Sequence, residues 1–245
     1  MVESITIQGS RPKEPSNFAD AGESVAIVAK VHDDETAVDQ LQFVWSASAG
    51  SVIGSGASVN WQAPADVPAP TDVTIRLKLI ENYGLPGQLV FQHETNGSAT
   101  LSLHDSKKEV GEMARQFLLD FSDSSIADVS HIMRNFIPGC YGTRDETEQV
   151  TNNRRELRIV SYTVGQASTT VNFGGLCPYG SKSGDACAAV PVFWESVFTV
   201  SNSRAPAVRG TDWVAAFYVP AQRKWGLCDS SFDGQLALSV RSLFR

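Results

Sequence analysis

The residues best suited to chemistry lie in the second half of the chain. They are one histidine, two carboxylates in strand-like segments and two tyrosines, namely His131, Glu195, Asp212, Tyr162 and Tyr218. A carboxylate or histidine beside a tyrosine is a common pair for general acid–base catalysis. None of these residues lies in a catalytic motif, and an isolated histidine or strand carboxylate is more often a satisfied or solvated group. The sequence therefore predicts no catalytic residue.

The cysteines also lie in the second half, at Cys140, Cys177, Cys187 and Cys228. No pair has the C-x-x-C spacing of a zinc or thioredoxin site, so neither a metal site nor another cofactor is predicted. An even number of cysteines around a loop rich in glycine, proline and serine predicts two disulfides, Cys177–Cys187 and Cys140–Cys228. Disulfides predict a periplasmic or cell-surface protein whose export signal is not part of this sequence. The alternative is a cytoplasmic protein with four buried free thiols.

The composition limits the classes of partner. The chain has 245 residues, of which 42% are hydrophobic, enough for the cores of two ordinary domains. Its net charge of −7 and its small basic clusters argue against a nucleic-acid partner. No apolar run approaches the roughly 20 residues of a membrane span, so no transmembrane segment is predicted.

One acidic segment could offer oxygen ligands to calcium, through Asp33, Asp34, Glu35 and Asp39. The spacing of these carboxylates does not fit an EF-hand loop. A solvated acidic turn is the favoured interpretation, and no metal site is predicted.

A predicted helix that begins at Ser106 divides the chain. Ser106 and Glu109 form a capping-box pattern. Behind them, apolar residues recur at helical spacing, at Val110, Met113, Ala114, Phe117, Leu118 and Phe121. The strand-like pattern ends just before this helix, which predicts domains at residues 1–105 and 106–245.

The first domain is predicted to be an all-β sandwich. Six segments alternate between apolar and polar residues, centred on Ile7, Ile27, Phe43, Val59, Ile75 and Leu101. Turn signals at short intervals separate the segments, among them Gly50 and Asn96-Gly97. Short strands at regular spacing are typical of sandwiches of about 100 residues.

Two tryptophan motifs give this domain a family resemblance. Phe43-Val44-Trp45-Ser46, Gly50, Gly56 and Trp61-Gln62-Ala63-Pro64 resemble bacterial Ig-like domains of the polycystic-kidney-disease (PKD) type, over about residues 1–105. The resemblance implies a spacer or adhesion module of an exported protein, without chemistry of its own. Trp45 and Trp61 share the inward-facing phase, which favours core packing over stacking on a sugar.

The second domain is predicted to combine helices with an antiparallel sheet. A second apolar series, from Ile126 to Phe136, predicts a helical hairpin with the first helix, and the segment after Thr143 predicts a short surface helix. Five strands follow without intervening helices, at Ile159–Val164, Thr169–Phe173, Val190–Val200, Thr211–Val219 and Trp225–Cys228. Such an order favours an antiparallel sheet that the helices cover on one face.

This order of elements resembles the NTF2-like, or SnoaL-like, α+β cone. The closing pattern Trp213-Val214-Ala215-Ala216-Phe217-Tyr218, followed by Lys224-Trp225-Gly226-Leu227-Cys228-Asp229, is similar to the last hairpin of that family. The resemblance implies a curved sheet around a pocket, which some members use for isomerase, dehydratase or cyclase reactions and many use only for binding. It places a ligand pocket among six aromatic residues, Phe117, Phe121, Tyr162, Trp194, Trp213 and Phe217.

The sequence thus predicts an exported, non-catalytic protein of a bacterial cell envelope, in which the Ig-like domain presents a binding domain. Its expected partner is another envelope protein or a small hydrophobic ligand. A homodimer through the second-domain sheet is a further expectation. The alternative function is a small-molecule lyase or isomerase with its active site in the second domain.

Overall fold

The structure is a computed structural model of the 245-residue chain. It describes residues 1–11, 14–32, 40–66, 68–83, 91–156, 158–167, 170–173, 186–200, 203–204 and 208–232. The chain divides into two compact units, Met1–Asp105 and Ser106–Arg245. This division falls where the sequence pattern changes from strand to helix. In the described part of the chain, no helix is both long and apolar enough to cross a membrane.

The described part of the first unit forms two four-stranded sheets. One sheet has the order β1-β3-β6-β5, from β1 (Val2–Gln8), β3 (Ser24–Val31), β6 (Ser58–Gln62) and β5 (Ser51–Ile53). The other has the order β2-β8-β7-β4, from β2 (Phe18–Asp20), β8 (Phe91–His104), β7 (Thr71–Tyr83) and β4 (Gln42–Ala47). The sequence pattern had predicted neither β2 nor β5, because each has only three residues.

The two sheets share one apolar core, which makes this unit a β-sandwich. Alternate residues of β3, β6, β7 and β8 enter this core and are buried, including Ile27, Trp61, Ile75 and Leu101. The predicted packing of the tryptophans is confirmed. Trp61 is fully buried and Trp45 is partly buried against the same core. Each indole N–H donates to a backbone carbonyl at 2.9 Å, so the polar group of each ring is satisfied within the sandwich.

Asn96-Gly97 is not the turn that the sequence predicted. The dipeptide lies inside β8, where Asn96 pairs with Lys78 and Gly97 pairs with Leu77. The ladder between β7 and β8 runs without interruption from Thr71 to Tyr83. Thirteen consecutive pairs outweigh the local turn preference of two residues.

The second unit contains three described α-helices, α1 (Ser106–Ser122), α2 (Val129–Ile132) and α3 (Thr143–Glu156), and a 3₁₀ helix at Pro220–Gln222. Its strands are β9 (Arg158–Ala167), β10 (Thr170–Phe173), β11 (Ala186–Val200), β12 (Ser203–Arg204), β13 (Val208–Val219) and β14 (Lys224–Phe232). They form one antiparallel sheet in which β13 lies between β11 and β14, while β9, β10 and β12 pair with β11. The sheet curls into a half-barrel, in agreement with the predicted α+β order.

The helices differ from their predictions in length. The second helix was expected to span most of Ile126–Phe136, but α2 is a single turn capped by Asp128, which accepts from the backbone N–H of Ser130 at 2.8 Å. The second helix of the predicted hairpin is therefore much shorter than expected. The third helix is longer than expected, with 14 residues. Tertiary contacts extend it, since Glu146 and Val150 are buried in an otherwise polar sequence.

Candidate functional site

The register of β11 and β13 defines two faces of the second-unit sheet. Val192 pairs with Asp212 and Trp194 with Gly210, so the even-numbered residues of both strands share one face. Helix α1 packs on this face. Trp225 of β14 pairs with Tyr218, which is even-numbered, so Trp225 points to the same face. Its indole N–H donates to the hydroxyl of Ser106, the first residue of α1, at 2.9 Å. We call this face the helix-side face. The odd-numbered residues of β11 and β13 form the outer face.

The six residues of the predicted pocket do not come together. Tyr162 and Trp194 are on the helix-side face, where their rings stack with centroids 5.8 Å apart and planes 9° apart. Trp213 and Phe217 lie on the outer face, and the side chain of Trp213 is 40% exposed. The sequence prediction was wrong for these two residues because it assigned Trp194, Trp213 and Phe217 to one phase. The register of antiparallel pairing decides the phase, and sequence alone did not show it.

The remaining aromatic candidates serve packing. Phe117 of α1 is buried and contacts Phe136 edge-to-face, with ring centroids 5.0 Å apart. Phe121 is partly buried near the end of α1. Phe217 packs edge-to-face with Tyr141 at 6.3 Å. The pocket expected from six aromatic side chains is therefore reduced to the Tyr162–Trp194 pair.

Asp212 is the unusual polar residue of the helix-side face. Its side chain is fully buried in the interior of β13. Neither carboxyl oxygen has a hydrogen bond of normal geometry to a described residue, although the nearby backbone N–H of Trp213 favours the charged form. A buried carboxyl group without full hydrogen bonding is costly by several kcal/mol as a rule of thumb, so its presence calls for a functional explanation.

Helix α3 adds a second buried acid beside this face. Glu146 is buried near Ser230 of β14, and the proximity of Ser230 lowers the pKa of the Glu146 carboxyl. Among the described residues, neither the Ser230 hydroxyl nor Oε2 of Glu146 has a hydrogen bond of normal geometry. Ser230 faces the helix side because β14 has a bulge at Cys228, where Leu227 pairs with Ala216 but Asp229 pairs with Ala215. The extra residue shifts the alternation of the strand by one. The bulge thus brings Ser230 and Glu146 to the side of the sheet that carries Asp212.

Burial changes the acidity of these groups. Burial, reinforced by the negative charges of Glu146 and Asp229, raises the pKa of Asp212 to about 8. Burial also raises the pKa of Glu146 to about 7, against the opposing effect of Ser230. The pKa of the Tyr162 phenol is raised by burial and by the nearby Asp212, so this hydroxyl stays protonated. Asp212 is therefore uncharged at neutral pH and can donate a hydrogen bond.

This arrangement is suited to proton chemistry or polar recognition. Asp212 lies near both the neutral Tyr162 phenol and Glu146, and the pKa values of the two carboxyl groups are about 8 and about 7. Among the described residues, no three or more acidic, histidine or cysteine side chains are placed to hold a metal ion. The acidic segment Asp33–Asp39, weighed above as a calcium site, lies outside the described residues.

The other sequence candidates lie elsewhere. His131 is exposed on α2. Glu195 lies on the outer face and pairs with Arg209 at 2.6 Å. Tyr218 is buried and contacts Trp225 edge-to-face. The sequence analysis missed Glu146 because Thr143–Glu146 matches a capping box, which suggested an exposed helix start. The available signal was the apolar Val150 four residues later, which lies on the same helix face as Glu146 and is buried.

The structure contains the predicted disulfide between Cys140 and Cys228. It ties the loop between α2 and α3 to the bulge of β14, beside Phe217 and the buried Cys187. Cys177 lies outside the described residues, so the Cys177–Cys187 pairing stays a prediction. A disulfide agrees with an oxidising compartment.

In the first unit, Arg11 forms a cluster of ion pairs with three carboxylates. Arg11 donates to Asp20 at 2.7 Å, to Glu23 at 2.8 Å and also to Glu14. These ion pairs connect the segment after β1 to β2 and to the turn before β3.

Comparison of the whole chain with family models, with curated proteins and with solved structures found no match.

Proposed function

We propose that the chain is an exported protein of a bacterial cell envelope whose second unit binds a small molecule beside Asp212. The observation that carries the proposal is the complete burial of Asp212 on the helix-side face without well-formed hydrogen bonds. A ligand group that pairs with this carboxyl would offset its cost of burial. The stacked Tyr162 and Trp194 provide apolar surface next to it.

The wider assignment rests on the family resemblances and the disulfide. An Ig-like first unit would present the second, NTF2-like unit at the envelope, and the Cys140–Cys228 bond supports an oxidising compartment. The homodimer expected through the second-domain sheet stays a prediction. Phe193 and Trp213, which are 51% and 40% exposed, are outer-face residues that such a dimer would bury.

The binding proposal can be tested by NMR on the intact protein with indole-¹⁵N-labelled tryptophan. Three probes of equal ring size, benzyl alcohol, benzylamine and benzoate, are titrated separately. We expect at least one probe to shift the Trp194 signal saturably and to leave Trp61, in the core of the first unit, unchanged. If none of the three probes moves Trp194, or if Trp61 moves equally, the proposed site is wrong.

A second candidate function is the lyase or isomerase, which the pKa values of Asp212 and Glu146 near neutrality favour. In that case Asp212 would exchange a proton with a carbon next to a carbonyl group, while Tyr162 would donate to the carbonyl oxygen. Hydrogen–deuterium exchange of cyclohexanone in D₂O distinguishes the two functions. Exchange above the buffer rate that disappears in Asp212→Asn would favour the enzyme, and exchange at the buffer rate would favour binding alone.

A further inference from the structure

Among the described residues, no cation compensates the acidic groups around Asp212. The negative charges of Glu146 and Asp229 both raise the pKa of the Asp212 carboxyl. No Lys, Arg or His side chain among the described residues offsets them. Arg209, three positions before Asp212 on the same strand, is on the outer face and pairs with Glu195. Glu146 is likewise opposed by Asp229 and supported only by the neutral Ser230 among the described groups.

The lack of positive charge among the described residues near Asp212 favours one kind of ligand over others. A buried carboxyl group with acidic neighbours stays protonated, and a cation within a few ångströms would favour its ionised form. An anionic ligand would instead meet the charge of Glu146 in a region of low dielectric, where repulsion is strong. A neutral ligand would gain one hydrogen bond from Asp212 but no charge compensation.

The aromatic pair adds a second attraction for a cation. Trp194 lies diagonally across the ladder from Asp212, since Trp194 pairs with Gly210 and Asp212 with Val192. Its ring stacks on that of Tyr162 at 5.8 Å. Indole and phenol faces attract ammonium groups electrostatically. A carboxyl group beside two aromatic rings is thus a suitable arrangement for an organic amine.

We propose that the ligand of the second unit is a protonated organic amine, which lies against Asp212 with Glu146 nearby and contacts the Tyr162–Trp194 pair. This inference rests on the proposed binding function and specifies its ligand class. A divalent metal ion is disfavoured because the described residues contain no metal-binding group of three or more ligands. Binding moves one proton: the amine enters charged, and Asp212 releases its proton to solvent as it becomes the carboxylate.

The test is isothermal titration calorimetry of the intact protein at pH 7 and low salt, with benzylamine, benzyl alcohol and benzoate as probes. Because benzylamine is the charged counterpart of benzyl alcohol, their difference isolates the effect of the positive charge. We expect benzylamine to bind at least about tenfold more tightly, which corresponds to about 1.4 kcal/mol. Its binding enthalpy should depend on the ionisation enthalpy of the buffer, as proton release requires, whereas that of benzyl alcohol should not.

Variants of the site test whether the amine binds at Asp212. Asp212→Asn should reduce the preference for benzylamine to about twofold or less and abolish the proton release. The matched control, Glu195→Gln on the outer face, should change neither. If Asp212→Asn does not fold, Glu146→Gln replaces it and should weaken benzylamine binding at least about threefold while leaving benzyl alcohol binding unchanged.

Other outcomes contradict the inference in distinguishable ways. Equal binding of the three probes, or tightest binding of benzoate, would overturn the amine assignment and leave the binding function intact. Benzylamine binding that survives Asp212→Asn, or that Mg²⁺ displaces at equal concentration, would also overturn it. If no probe binds, both the inference and the proposed function fail.

Discussion

At the scale of single residues, the two tryptophans of the predicted pocket have opposite environments. Trp194 is buried on the helix-side face, whereas Trp213 is 40% exposed on the outer face. We expect Trp194→Ala to lower the free energy of unfolding by about 3–5 kcal/mol, as large core truncations do. Trp213→Ala should cost less than about 2 kcal/mol, because the ring is partly in solvent and the loss of buried area is smaller. Urea unfolding of the two variants measures the difference, and equal losses would contradict the assigned faces.

Asp212 should make stability depend on pH. Because the pKa of its carboxyl is raised in the folded protein, its contribution is fully present below the unfolded pKa of about 4 and is lost as the pH rises through about 8. Asp212→Asn removes the ionisation, so this variant should be more stable than the wild type at pH 9, by about 1.4 kcal/mol for each unit of the pKa shift. At pH 4 the advantage should disappear.

Thermal unfolding between pH 4 and pH 9 tests this dependence. Glu195→Gln is the control, because Glu195 is a partly exposed outer-face carboxylate. Its curve should run parallel to that of the wild type. A wild type that is equally stable or more stable at pH 9 than at pH 5, with Asp212→Asn following the same curve, would contradict a buried neutral Asp212.

At the scale of elements, Arg154 holds the helices of the second unit together. Its guanidinium donates to backbone carbonyls at the end of α1 and beyond it, at 2.6 Å to Phe121, 3.1 Å to Asp123 and 2.6 Å to Ile126. The last turn of α1 has no basic residue of its own. Arg154 therefore satisfies free carbonyls and places a positive charge at the negative end of the helix dipole.

Arg154→Ala should lower the free energy of unfolding by about 2–3 kcal/mol, in line with hydrogen bonds to a charged group. Arg154→Lys should recover only part of the loss, because an ammonium group cannot reproduce the planar fork of donors. The control is Arg155→Ala, since Arg155 is exposed and donates to Asn152 on its own helix. Urea unfolding measures the free energy of unfolding of each variant. Similar losses for Arg154→Ala and Arg155→Ala would contradict the role of Arg154 in capping α1.

The disulfide should contribute to stability through its long loop. The bond joins residues 88 positions apart, for which the chain-entropy estimate is between about 4 and 5 kcal/mol. Cys140→Ser combined with Cys228→Ser should lower the free energy of unfolding by up to that amount, measured in urea without reductant. An alkylating reagent added to the unreduced, denatured wild type should label neither cysteine; labelling of both would remove the argument for an oxidising compartment.

Sequence patterns predicted the elements that depend on a regular apolar period, such as α1 and the long strands. They failed where tertiary contacts decide. Asn96-Gly97 continues β8 because β7 pairs along its whole length. Helix α2 begins only after its N-cap Asp128 and ends at its C-cap Met133, so much of the predicted apolar series is not helical. The site was harder to predict, since the environment of Asp212 depends on strand register and on the bulge at Cys228. Neither feature has a signature in the local sequence.

At the scale of the whole molecule, the first unit contains its own core. The apolar core of the sandwich is formed by residues between Ile5 and Leu103. We expect residues 1–105 to fold alone as a soluble all-β domain with a cooperative thermal transition. Circular dichroism and ¹⁵N NMR of this fragment test the expectation. An unfolded fragment from a stable parent chain would show that residues beyond 105 complete the core.

The central claim concerns the intact protein, in which the second unit keeps Asp212 buried and uncharged as the polar point of a binding site. Carboxyl ¹³C NMR of the full chain, with Asp212→Asn to assign the signal, measures the titration of this residue directly. The structure predicts a midpoint near pH 8 and a protonated carboxyl at pH 6. A midpoint close to the ordinary aspartate value of about 4 would show a solvated or paired carboxylate and would contradict the account.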